Sequence, residues 1–481
     1  MTDQSKPLTQ MPLKQLINGD WMDGTGREFA VLDKFRLTPI TSAKTAGPEQ
    51  IAEMIEAAEA AFRGGVPEPY DRGAVLDRAA VLMGERASEV AAVIQAESGF
   101  TAADAQGEVT RCIQTLRLSA EEARRLAGEV IPMTGAPGQS GRIGFTLRVP
   151  LGIVFAVTPF NSPLNTVTHK VAPAFAAGNA VIVKPASVTP MTTLKLAEIL
   201  IEAGMPRGFL SVLLAGGADA EQVITDPRVR FIAFTGSTEV GKRIQAISGL
   251  RRTQMELGSI AFTVLEADAD LDRAIPKIVG ASYRKAGQVC TSVQIALVHR
   301  SLMDQVTERL VEAVGTVKFG DPSGEDVLTG PLISEGEAKR VETWVEAAVA
   351  SGARRLVGGD RVGAVVPPTL LVDVPQDQNL SCQEVFGPVL CLEPFDTTEE
   401  AIARVNSTPF GLATGIFTAR IDLAMSYARR LEVGGVHINE TSSSRVDLMP
   451  YGGSKDSGFG REGPHYAVEE MTEARIVTIS T

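Results

Sequence analysis

The 481-residue chain holds only four cysteines, Cys112, Cys290, Cys382 and Cys391, and none stands in a Cys-x-x-Cys pair. That spacing excludes a disulfide framework and a zinc site, and it fits a reducing, cytoplasmic setting. Long apolar runs are missing as well: the longest, Leu151 to Val157, is too short to cross a bilayer. Met1 to Gln10 is polar and lacks the apolar stretch of a signal peptide, so no membrane association is expected. There is no basic surplus either. Lys and Arg number 46 against 58 Asp and Glu, a net charge of −12, which argues against nucleic acid and leaves small molecules as the expected partners. No repeat, heptad or low-complexity tract is visible.

What is present is an ordinary globular composition, 44% hydrophobic and 22% charged, in a chain long enough for several domains. Ile51, Met54, Ile55, Ala58 and Phe62 recur at helical spacing, and Ala-rich helical patterns cover Asp71 to Glu97 and Glu121 to Glu129, so the first quarter reads as mainly helical. Ile131 to Arg148 is broken by Pro132, Gly135, Pro137, Gly138 and Gly141 and then alternates through Ile143, Phe145 and Leu147, the pattern of an extended arm. Beyond it, short apolar runs such as Ile153–Val157, Ala180–Lys184 and Phe231–Phe234 alternate with helical stretches, which predicts a parallel α/β sheet. A second α/β block has strands near Ile295–His299, Thr369–Val372, Val389–Leu392 and Val436–Asn439. The tail Ala474 to Ser480 alternates like a terminal strand.

Four positions carry chemistry. Cys290 follows Gly287 and Gln288 in an open turn, where nearby amides would favour the nucleophilic thiolate; a lone cysteine is otherwise a small buried hydrophobe. Glu256 lies in a Gly-flanked apolar stretch, which raises a carboxyl pKa and suits a general base, unless it is a surface residue at a strand end. Asn161 follows the strand ending at Val157, at the carboxyl end of a sheet, as an oxyanion donor or a simple turn residue. Phe234-Thr-Gly-Ser237 leads from a strand into a helix whose first amides suit a pyrophosphate, or merely cap the helix.

Taken together and in this order, these residues resemble the aldehyde dehydrogenase superfamily. Phe160-Asn161, Val183-Lys184-Pro185, Phe234-Thr-Gly-Ser237, Glu256-Leu-Gly258, Gly287-Gln-Val-Cys290, Glu384-Val-Phe-Gly-Pro388 and Tyr451-Gly-Gly-Ser-Lys-Asp-Ser-Gly458 are seven ordered motifs spread over nearly the whole chain. The resemblance implies an α/β fold with a Rossmann-type cofactor domain (1–130 and 149–257), an α/β catalytic domain (258–450), and an oligomerisation arm with a C-terminal segment (131–148 and 451–481). It implies that Cys290 attacks an aldehyde, that Asn161 holds the oxyanion, and that Glu256 activates water to hydrolyse the thioester. Lys184 and Glu384 would bind the ribose units of NAD or NADP, Phe386 would pack near the nicotinamide ribose, Phe160 would also bind the cofactor, and Gly236 and Ser237 would approach the pyrophosphate.

Two departures from the family pattern bear on specificity. After Leu257-Gly258 the chain reads Ser259-Ile260-Ala261-Phe262 in place of a second glycine and a later proline, so the loop beside the thiol has its own shape. Where NAD-preferring relatives carry a glutamate three residues after the lysine, this chain has Ser187, which leaves room for a 2′-phosphate and favours NADP over NAD. Pocket positions of the family map to Thr166, His169, Arg284, Thr291, Arg445 and Tyr451, a polar set. Arg284 and Arg445 with His169 could clamp an anionic group on the substrate, or one arginine could pair instead with Asp447 or Glu440.

The sequence therefore points to NAD(P)-dependent oxidation of a short anionic aldehyde. Neutral, aromatic or hydroxy aldehydes are the alternative within the class, and Glu470-Met-Thr-Glu473 resembles the ending of lactaldehyde-oxidising relatives. Acyl release to coenzyme A and a non-catalytic NAD(P)-binding scaffold complete the set, and the scaffold would have no need of Cys290, Glu256 and Asn161 together. An unpaired arm edge and terminal strand predict a homodimer or homotetramer.

Overall fold

The computed structural model describes residues 13–480; the polar stretch Met1–Gln10 lies outside them. An eight-stranded sheet has at its centre five parallel strands in the spatial order Leu210–Val212, Ala180–Lys184, Ile153–Val157, Val229–Thr235 and Arg252–Glu256. The near-continuous apolar runs of Ile153–Val157, Ala180–Lys184 and Val229–Thr235 are buried on both faces, as strands between two helical layers must be. The chain moves outward from Ile153–Val157 to Leu210–Val212, then crosses to Val229–Thr235 on the other side. That reversal of direction opens a crevice at the carboxyl ends of the strands, where open α/β sheets bind ligands.

A second, seven-stranded sheet is parallel apart from its first pair, Arg354–Val357 with Thr369–Val372. Its central strand Val293–His299 lies between Ala261–Leu265 and Val389–Phe395. The apolar core divides between Leu257 and Ile260: up to Leu257 it packs around the first sheet, and from Ile260 onward around the second. Val468 and Met471, late in the chain, return to the first core, and Gly458–Phe459 pairs with the end of Arg252–Glu256 in the first sheet.

The arm is real strand: Arg142–Pro150 pairs antiparallel with the terminal strand Thr472–Ser480 along its whole length, and with Val130–Ile131 on its other edge. The first quarter holds the helices Pro48–Gly64, Pro69–Glu85, Ala87–Ser98 and Ala102–Arg125. Four short strands between Gln15 and Lys44 precede them, which the helical reading did not anticipate. Gln15–Ile17 is buried throughout, and the other three are only partly buried. The helical pattern from Asp71 to Glu97 also breaks at Arg86, where the backbone leaves helical geometry.

Candidate active site

The crevice of the first sheet faces the amino end of Val293–His299 in the second, and a cavity of about 880 Å³ lies between. Asn161, Gly236, Ser237 and Glu256 reach it from the ends of first-sheet strands, and Cys290 from the turn before Val293.

That turn is built from left-handed residues. Lys285, Ala286 and Gly287 all have positive φ, and a Cβ on Gly287 would lie 2.1 Å from the Gly387 carbonyl oxygen, so only glycine fits there. Lys285 holds the turn in place: its Nζ donates to Glu108 at 2.8 Å and to the Asn161 carbonyl at 3.0 Å, tying the cysteine turn to the asparagine loop. Gln288 adds a second tie, donating to the Lys285 carbonyl while its Oε1 accepts from Ile333 N.

Cys290 is half-buried, with Sγ 3.0 Å from the hydroxyl of Tyr451. Burial pushes its thiol well above the ordinary value, Glu256 adds to the shift, and the Tyr451 bond opposes it. Desolvation thus acts against the thiolate that the turn amides were expected to favour. Glu256 closes the strand Arg252–Glu256, and its Oε1 is buried without a hydrogen-bond partner. Burial, then the charge of Glu462, push its carboxyl up to about 8, against Arg445, Lys170 and a hydrogen bond with Cys290.

The loop after Glu256 is fixed from outside. Gly258 N donates to Thr238 Oγ1 at 3.2 Å, Ser259 N to Glu384 at 2.9 Å, and Ser457 donates to the Gly258 carbonyl at 2.6 Å. Ser259 thus takes the departed glycine's place with its amide bound to Glu384, whose carboxyl burial pushes up to about 7. Phe386, at φ +46, packs edge-to-face on Phe160, and both line the cavity.

Ser237 caps the helix Thr238–Ile247 by accepting from Val240 N. Lys184 and Ser187 stand off the cavity wall, flanking Ala186, which lines it together with Val188. Lys184 is buried, its Nζ donates only to the Pro185 carbonyl at 3.3 Å among the described residues, and burial pushes its pKa down to about 8. The exposed Ser187 donates to the Ala215 carbonyl.

Thr166, Thr291, Arg284, Arg445 and Tyr451 all line the cavity; His169 does not. His169 is fully buried and bonded to Asp447 at 2.8 Å, and burial pushes its pKa down despite that partner. Its expected place in a substrate clamp is corrected accordingly, since no face of the ring reaches the cavity. Arg445 is committed as well: it donates to Glu462 at 2.8 Å and its guanidinium lies 3.8 Å from the Tyr451 ring centroid. Its partner is Glu462, neither Asp447 nor Glu440; Asp447 takes Arg111 and His169, and Glu440 takes Lys277 and Arg273. Arg284 differs. It donates to Ser443 Oγ at 2.8 Å and has no carboxylate partner among the described residues.

Sequence reasoning missed Lys170, Glu462, Glu108, Lys285, Arg111 and Ser443. Lys170 and Glu462 form an ion pair at 3.0 Å, both fully buried. Burial would raise Glu462, but Lys170 and Arg445 outweigh it and hold the carboxyl well below its ordinary range. The available signals were a lysine directly before the apolar run Val171 to Ala177 and a glutamate between Arg461 and Gly463. No cluster of metal ligands and no helix long and apolar enough to cross a membrane occurs among the described residues.

A left-handed cysteine turn opposite a buried glutamate, across a crevice at the strand ends, is the arrangement of an aldehyde-oxidising enzyme. The aldehyde dehydrogenase family model matches residues 21–477, and the chain belongs to that family. A 3-sulfolactaldehyde dehydrogenase of Priestia aryabhattai is 43% identical over 465 residues, 96% of this chain and 97% of the relative. Aldehyde dehydrogenase 21 of Physcomitrella patens, solved with the reaction product succinate, superposes with a TM-score of 0.95 at 38% identity, covering 98% of this chain and 99% of that one. A glyceraldehyde-3-phosphate dehydrogenase of Methanocaldococcus jannaschii, complexed with NADP, gives 0.91 at 36% identity over 95% and 100%.

Proposed function

We propose that this enzyme oxidises a short aldehyde bearing a carboxylate or sulfonate to the corresponding acid, with NADP preferred over NAD. The observation that carries the substrate class is Arg284: a guanidinium on the cavity wall, bonded to a serine hydroxyl and to no carboxylate among the described residues, is a charge that an anionic ligand completes. Thr291 Oγ1 lies 3.2 Å from the same Ser443 hydroxyl, so three donors converge where the far end of a short aldehyde would rest. The relatives named for sulfolactaldehyde and found with succinate act on molecules of this kind.

In this reading the Cys290 thiolate adds to the aldehyde carbon. Asn161, on the cavity wall, and the Cys290 amide receive the developing oxyanion. A bound nicotinamide supplies the hydride acceptor. Glu256, buried and with one oxygen unpartnered, then takes a proton from the water that hydrolyses the thioester.

The residues present fit a dinucleotide. Lys184 is a buried ammonium using one of its three donors, and the capped helix at Ser237 offers backbone amides to a pyrophosphate. At Gly236 a Cβ would fall 2.5 Å from the Phe234 ring, so the backbone there stays bare. Ser187 places no charge against a 2′-phosphate. The proposal extends to a homo-oligomer assembled through the arm, and to the cytosol, which suits four free thiols.

Initial rates across succinate semialdehyde, sulfolactaldehyde, benzaldehyde and hexanal test the reading, with wild type beside Arg284→Met. KM for the anionic pair should rise about 10- to 100-fold in the variant, the loss of a charge-assisted bond, with the neutral pair little changed. A wild-type preference for the neutral aldehydes would overturn it.

A further inference from the structure

Tyr451 stands closer to the reaction than a pocket wall. Its hydroxyl has one partner among the described residues, the Cys290 sulfur at 3.0 Å. The rest of the residue is fixed so that the hydroxyl keeps that aim. Tyr451 N donates to the Glu462 carbonyl at 3.1 Å and Glu462 N to the Tyr451 carbonyl at 2.6 Å, which locks the backbone. The ring is buried, with the Arg445 guanidinium over its face, and Arg445 is itself held by Glu462.

From this geometry we infer that Tyr451 is a catalytic residue, whose hydroxyl donates a hydrogen bond to the Cys290 thiolate and so sets how readily the nucleophile forms. The inference rests on the reading of Cys290 as nucleophile. While the sulfur carries its proton, either atom can donate. Once that proton leaves, sulfur can only accept, and the phenol is the neutral donor already in place. A charged acceptor makes the stronger bond, so the contact favours the thiolate over the thiol.

The other groups around the sulfur make this contribution necessary. Burial disfavours the thiolate first, and the carboxyls of Glu256 and Glu384 act in the same direction. Arg445 is the cation that opposes them, and its charge is largely spent on Glu462. Addition to the aldehyde removes the negative charge from sulfur, so the hydrogen bond is strongest before attack and weakens after it.

The test is the pH dependence of iodoacetamide alkylation at Cys290, read by mass spectrometry of its own peptide because Cys382 is also partly exposed. In Tyr451→Phe the midpoint should rise by about one unit, a tenfold smaller thiolate fraction at fixed pH, and kcat/KM should fall about threefold, because the less stabilised thiolate is the stronger nucleophile. Placing 3-fluorotyrosine at 451, a more acidic phenol and a better donor, should move the midpoint downward. That substitution carries the test if the phenylalanine variant does not fold. An unmoved midpoint in either folded protein overturns the role of Tyr451. Alkylation of wild-type Cys290 that leaves turnover intact overturns the nucleophile reading itself.

Discussion

Arg445, in the wall of the active-site cavity, forms an ion pair at 2.8 Å with Glu462, whose carboxylate is fully buried. The pair decides which arginine is available to a ligand: Arg445 neutralises a neighbour, and Arg284 is left with only a hydroxyl. Removing one member of a buried pair leaves its partner's charge uncompensated, which costs about 3–5 kcal/mol. Glu462 keeps Lys170 at 3.0 Å, so Arg445→Gln should lower the urea midpoint by only part of that amount. Unchanged stability with a raised KM for anionic aldehydes would make Arg445 a substrate clamp after all.

Three buried carboxyls, Glu97, Glu256 and Glu384, are pushed up to about 7, 8 and 7, in each case chiefly by burial. In the unfolded chain they would titrate at roughly 4.3. Between those limits the native protein holds protons that the unfolded chain has released, so their contribution to stability falls as pH rises from about 4.5 to 8 and is flat above. Glu256→Gln should flatten part of that slope in urea titrations at several pH values. The same variant should give one burst of NADPH per active site and then stall, since thioester hydrolysis loses its base. In wild type, the hydrolysis rate should climb with pH through about 8. Undiminished steady turnover in Glu256→Gln would remove the residue from the mechanism.

The seven motifs were legible because each occupies a short stretch where local chemistry is demanding: a turn only glycine can make at Gly287, a helix start at Ser237, a strand end at Glu256. The two parallel sheets were legible because strands buried on both faces are continuous apolar runs, as at Ile153–Val157. The ion-pair network was not. Lys170 and Glu462 are 292 residues apart and meet only through the tertiary fold. His169 read as a pocket residue because its spacing from Asn161 is that of the family's pocket, yet its ring turns away to Asp447. Nothing local distinguishes that rotation. The same holds for Arg445, whose carboxylate lies 17 residues further on across the Tyr451–Glu462 bridge.

Ser187 tests the cofactor assignment. Its exposed side chain makes one bond, to the Ala215 carbonyl at 3.3 Å, beside the buried ammonium of Lys184. Ser187→Glu would put a carboxylate where a 2′-phosphate would lie, and like charges there repel while a ribose hydroxyl can still be bonded. The ratio of kcat/KM for NADP over NAD should fall at least about tenfold. An unchanged ratio would locate the discrimination elsewhere in the cavity.

The terminal strand Thr472–Ser480 tests the assembly. Every residue of it pairs with Arg142–Pro150 on one side, while no strand of the chain pairs with its other side among the described residues. Ile476 and Ile479 are 55% and 47% exposed, and Ile143 and Leu147 on the adjoining strand are also open. An open edge with apolar side chains is a liability in a solitary subunit and a ready interface for a second copy. Lysines at such an edge block strand pairing without disturbing the pairing on the inner side. Ile476→Lys combined with Ile479→Lys should therefore reduce the mass measured by light scattering to that of a smaller assembly while the circular dichroism spectrum stays native. If the mass does not change, the subunits associate through some other face, and the arm serves only to hold the terminal strand.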